Sequence, residues 1–200
     1  MAQNYLEIRN EYLRKAWSRS GAELAESIPA RLEDGRLRFR AFGEPCVLGA
    51  DEVRLSGQSA EGAEGLLIAM YASKVSGKPV ELHPLKSFKE LPDSMPYQGA
   101  FTAHSERVLA PHVETMSSQR DAIVSRFSGH VNLDAPSGDF SFTLYPLPRV
   151  PLYYVFHLPD EEFPAGVSCL FASNALEFMP LDGLADVAEY TARRIIATLA

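Results

Sequence analysis

Three runs in the C-terminal third constrain the fold more than any other feature: "DFSFTLYPL" (139–147), "VPLYYVFHL" (150–158) and "AGVSCLFAS" (165–173). They are rich in β-branched and aromatic residues and are separated by turn formers, which predicts an antiparallel meander. A second β signal lies upstream. In "RLRFRAF", Leu37, Phe39 and Ala41 alternate with Arg36, Arg38 and Arg40, the pattern of a strand with one wet face. Gly43-Glu44 can turn this strand into "PCVLG", and "EVRLSG" supplies a third.

Helical periodicity fills most of the remainder. Tyr5, Ile8, Tyr12, Ala16 and Trp17 predict a helix over 3–19, and "GAELAESI" a second that ends near Pro29. "SAEGAEGLLIAMYASKVSG" predicts a helix capped at Ser56 or Ser59 and closed at Gly77. Residues 96–127 read as helical, divided at Pro111 and ended by Gly129. Leu184, Val187, Thr191, Ile195 and Leu199 form one stripe of a last helix over 182–199. The expectation is a single α+β domain over 1–200. Its mainly antiparallel sheet comprises the C-terminal meander and an N-terminal hairpin, packed with helices, and the helices of 3–28 form an appendage.

Two hundred residues at 46% hydrophobic and 22% charged need neither disulfide nor metal for stability, since such a chain buries about 70% of its unfolded surface. A formal charge of −7 excludes a general nucleic-acid binder, which needs a basic footprint. The opening "MAQNYLEIRNEYLRKAW" has no continuous apolar core of a signal peptide. The longest apolar runs, "GLLIAMYA" and "VPLYYVF", fall far short of the roughly 20 residues of a membrane helix. The expected compartment is the cytoplasm, with no membrane partner. Cys46 and Cys169 are too few for a disulfide framework or for a four-cysteine site within one chain.

Candidate chemistry is sparse. "HLPDEEFPAG" (157–166) concentrates one histidine and three carboxylates. Consecutive Asp160, Glu161 and Glu162 diverge on a turn, so the stretch reads first as a connection between strands, second as a binding contact and third as a catalytic site. Arg149 between two prolines could hold Glu161 or Glu162 across a hairpin. In "SFKELPD", Ser87 and Glu90 have capping-box spacing, and Lys89 offers a cationic point to an anion. Cys46 and Cys169 read as small buried hydrophobes, and the five histidines show no metal-ligand spacing. "VSGKPV" lacks the first glycine and the Ser/Thr of a phosphate loop, and no nucleophile elbow is present.

"FGEPCVL", "SFKELPDSMPY", "LPRVPLYYV", "DEEFPA" and "CLFASNALEFMPLDGLA" occur in an order and spacing that resemble the domain-of-unknown-function family 3786 of bacteria and archaea. The resemblance extends over most of the chain. Some relatives are fused to a four-cysteine iron–sulfur domain of the kind found in corrinoid-dependent methyl transfer, which implies an iron–sulfur or corrinoid protein as partner. The chain departs from the pattern at Ala172, where relatives carry an aspartate, and at "PLDGLA".

The leading expectation is a non-catalytic accessory or ligand-binding domain, with cofactor and oligomeric state unassigned. The alternative is a small-molecule enzyme with Glu161 or Glu162 as acid–base group and Arg149 or Lys89 holding an anion; Glu90 completes this binding set. A third reading shares a metal or cluster between chains through exposed Cys46 or Cys169.

Overall fold

Three hairpins in the N-terminal half turn through two residues at positive φ: Asp34-Gly35, Phe42-Gly43 and Ser56-Gly57. That is the condition of a type I′ turn, whose twist matches the strands it joins. In this computed structural model, which describes residues 2–133 and 138–199, those turns organise the first sheet. Strands β1 (Arg31–Glu33), β2 (Arg36–Ala41), β3 (Glu44–Leu48), β4 (Val53–Leu55) and β5 (Gln58–Ser59) pair antiparallel in chain order. The expected N-terminal hairpin is thus a five-stranded sheet of its own.

The meander forms a second sheet from β6 (Lys86–Ser87), β7 (His130–Val131), β8 (Phe140–Leu147), β9 (Val150–His157) and β10 (Gly166–Phe171). Its order is β6-β10-β9-β8-β7, antiparallel throughout. β9 is buried from Val150 to Phe156. On its core side Phe156 stacks on Phe140 at 4.5 Å and meets Phe142 at 4.7 Å. Burying each such ring contributes roughly 2–3 kcal/mol. The opposite side carries Ser141, Thr143, Tyr153 and Val155, also buried.

The sheets meet where the Phe42 N–H donates to the Pro146 carbonyl at 2.6 Å. Around them lie α1 (Ala2–Ala16), α2 (Gly21–Ser27), α3 (Ala63–Lys74), α4 (Gln98–Phe101), α5 (Val113–Ser118), α6 (Arg120–Arg126) and α7 (Leu181–Leu199). The N-terminal helices share the central core. Leu13, Ala16 and Leu24 are fully buried, and the Trp17 indole donates to the Gly49 carbonyl at 2.8 Å. α3 is capped at Gly62, not at Ser56 or Ser59, because Ser56 is a turn residue and Ser59 ends β5. Its C-terminal cap is Val75, two residues before Gly77.

After α4 the chain continues as a π-helix over Thr102–Arg107, packed between α7 and β10. From it the Glu106 carboxylate accepts the Cys169 N–H at 3.0 Å, just beyond the residues that β6 pairs. On the other edge the Asn132 N–H donates to Ser141 O and the Tyr145 N–H to Phe127 O, each at 3.1 Å. Pro111 sits in a 3-10 turn ahead of α5. Among the described residues no helix is long and apolar enough to cross a membrane.

Candidate functional site

The residues singled out from sequence lie apart. Arg149, in the β8–β9 turn, gives its guanidinium to three backbone carbonyls: Ser27 at 2.6 Å, Lys78 at 3.0 Å and Glu26 at 3.2 Å. Glu161 and Glu162 follow the far end of β9, an eight-residue strand that spans about 26 Å. The hairpin pairing of Arg149 with either glutamate is therefore not formed. Asp160 organises their loop: its Oδ1 accepts the N–H groups of Glu162 at 2.8 Å and Phe163 at 2.7 Å. Those two donors hold its carboxyl below the usual range. Glu161 and Glu162 point into solvent.

Ser87 and Glu90 form the expected capping box on a short 3-10 turn, with Glu90 Oε2 accepting the Ser87 N–H at 2.8 Å. The Ser87 hydroxyl and N–H lower the Glu90 carboxyl. Phe88 and Leu91 are buried, and Lys89 is exposed. Both thiols lie in the core, and burial pushes Cys46 and Cys169 well above the usual thiol range. A cluster shared between chains through an exposed cysteine is overturned by that burial. Ala172 is likewise fully buried. Among the described residues no group of three or more His, Cys, Asp or Glu could hold a metal ion.

The structure brings together a different set. A cavity of about 650 Å³ opens on the outer face of the second sheet. Leu82, His83 and Leu85, from the segment leading into β6, form one wall; residues 130–133 form another, and Tyr153 of β9 lies at its base. A hydrogen-bonded floor lies beneath it. Thr143 Oγ1 donates to Asn132 Oδ1 at 3.0 Å, Asn132 Nδ2 donates to Ser141 Oγ at 3.2 Å, and Ser141 Oγ lies 3.3 Å from the Tyr153 hydroxyl. Among the described residues, no carboxylate, lysine, arginine or cysteine lines the cavity. Sequence reasoning missed this site because its walls come from three separated segments. The one local signal was the Ser141/Thr143 alternation in β8, which reads as a wet face.

A second concavity follows α7 and is strongly charged. Asp186, Glu189, Tyr190 and Arg193 line a space of about 240 Å³; Tyr190 and Arg194 line a neighbouring one of about 310 Å³ beside β4 and β5. Glu189 pairs with Arg193 and with His104 Nδ1. Burial, then the charges of Glu189 and Asp182, raise the Asp186 carboxyl.

Fold and site together define an α+β domain of two antiparallel sheets, the second bearing an open cavity with a polar floor. The model of the family described as "Domain of unknown function (DUF3786)" matches residues 21–194, and the chain belongs to that family. No curated protein and no solved structure matches the chain.

Proposed function

We propose that the protein is a non-catalytic binding domain, and that the cavity on the second sheet holds its ligand, an uncharged and largely apolar small molecule. The observation that carries this reading is the lining. About 650 Å³ of space falls within the roughly 300–1,000 Å³ of small-molecule sites, which combine apolar walls with a few placed polar groups. Among the described residues the lining holds the imidazoles of His83 and His130 but no lysine, arginine or carboxylate, so a charged ligand would find no permanent counter-charge there. An accessory role in the cytoplasm beside an iron–sulfur or corrinoid protein extends the reading and rests on the family resemblance alone.

Titration with the uncharged fluorophore N-phenyl-1-naphthylamine tests it. The expected result is saturable one-to-one binding that Leu82→Asp weakens about tenfold or more, through a charge placed on a half-buried wall. Absence of saturation, or equal binding by the variant with its fold intact, would overturn the assignment.

A further inference from the structure

Asn132 is held from the sheet side at both ends of its amide, Oδ1 by Thr143 Oγ1 and Nδ2 by Ser141 Oγ. A carboxamide carries two N–H donors and an oxygen with two lone pairs. One donor and one lone pair therefore remain, on a residue that lines the cavity. Thr143 and Ser141 are 0% and 1% exposed, so their hydroxyls have no solvent to turn to and the amide plane is fixed. Exchanging the oxygen and nitrogen of the amide, with the hydroxyl protons turned to match, leaves the same complement.

We propose that the cavity selects a planar, uncharged heterocycle with a lactam or imide edge, an inference that rests on the cavity being the ligand site. A lactam presents N–H and C=O side by side, and so returns an acceptor to the free Asn132 donor and a donor to its free lone pair. A ketone or an ether satisfies only the N–H. An ionised carboxylic acid leaves the lone pair unmet, and among the described residues it finds in the lining only the imidazoles of His83 and His130, with no lysine or arginine. Leu82 and Leu85 offer apolar surface to the ring faces, and Leu133 at the rim stands 97% exposed, bare unless something covers it.

Displacement of N-phenyl-1-naphthylamine by 2-quinolone and by N-methyl-2-quinolone tests the proposal, because the methyl group removes the lactam donor and keeps the ring. The expected result is about tenfold or greater preference for 2-quinolone, abolished in Asn132→Leu while the affinity for the N-methyl compound is retained. Equal displacement by both, or by neither, overturns lactam recognition while the cavity remains a site. Failure of the fluorophore itself to bind overturns the site reading as well. The comparison of the two compounds on the unsubstituted protein decides the matter even if the Asn132 variant does not fold.

Discussion

Arg194 near the end of α7 and Glu44 at the start of β3 share a hydrogen bond across 150 positions of sequence. The same oxygen, Oε1, accepts Arg126 Nη2 of α6 at 2.6 Å. Glu44 Oε2 takes the hydroxyl of Ser56, in the β4–β5 turn, at 2.6 Å. One carboxylate thus joins two helices to the first sheet.

The Ser56 hydroxyl first, then Arg194 and Arg126, hold the Glu44 carboxyl below its ordinary range. Its folded pKa is depressed, so its contribution to stability is full above the unfolded value and is lost as pH falls through the folded one. Glu44→Gln is expected to cost about 2 kcal/mol near pH 7. Urea unfolding of both proteins should show the difference shrinking as pH drops below about 4. A difference independent of pH would place the loss in packing instead.

Arg149 acts as a clasp between the β8–β9 turn and the end of α2. Arg149→Ala removes three donors from carbonyls of Ser27, Lys78 and Glu26, and about 2–3 kcal/mol of stability should go with them. Arg149→Lys is expected to recover less than half of the loss, since one ammonium cannot span three acceptors held by a planar fork. Urea midpoints of the three proteins measure this directly.

Two helical glycines should respond in opposite ways. A Cβ on Gly65 would lie 2.0 Å from the Ala60 carbonyl oxygen, a backbone atom that cannot retreat. Gly65→Ala is expected to cost at least about 2 kcal/mol. At Gly183 the nearest atoms are the Met179 methyl at 2.6 Å and the Met70 sulfur at 2.7 Å, both flexible ends. There the helical preference for alanine offsets the crowding, and Gly183→Ala should stay within about 1 kcal/mol of the parent. Thermal melts of the two variants separate the cases.

Neither thiol should react in the folded protein. Cys46 is 2% and Cys169 0% exposed, and burial disfavours both thiolates. With 5,5′-dithiobis(2-nitrobenzoate) the expected count is none in buffer and both in denaturant. Rapid labelling of either one in buffer would mean that the core around β3 or β10 opens readily.

The meander, α7 and the Ser87–Glu90 box were legible because each carries a local periodic or capping signal. β1 carries no periodic signal, although Asp34-Gly35 is the dipeptide that favours a type I′ turn, because a three-residue strand leaves no alternation to count. β5, β6 and β7 are two residues long and are set by their partners alone. α3 begins later than a serine cap predicts, because the β5 pairing holds Ser59 in the sheet although serine is the stronger local cap. Beyond the Ser141/Thr143 alternation of β8, the cavity leaves no trace in any sequence window. Asn132, Tyr153 and Leu82 become neighbours only when β7, β9 and the segment before β6 meet on one face.

The carboxylate of Glu106 on Cys169 has a consequence for how copies of this chain behave together. β8, β9 and β10 are largely buried and rich in aromatic and β-branched residues, the kind of sequence that recruits identical strands into fibrils when an edge of the ladder lies open. On one side the ladder stops after the two residues of β6, and Glu106 occupies the next donor with a negative charge. On the other, β7, Asn132 and Phe127 take up the groups of β8. Along Cys169–Phe171 and beside β7, a second chain could extend this sheet only by displacing an anion or unseating a neighbouring segment, so these stretches of its two edges carry chain terminators against polymerisation.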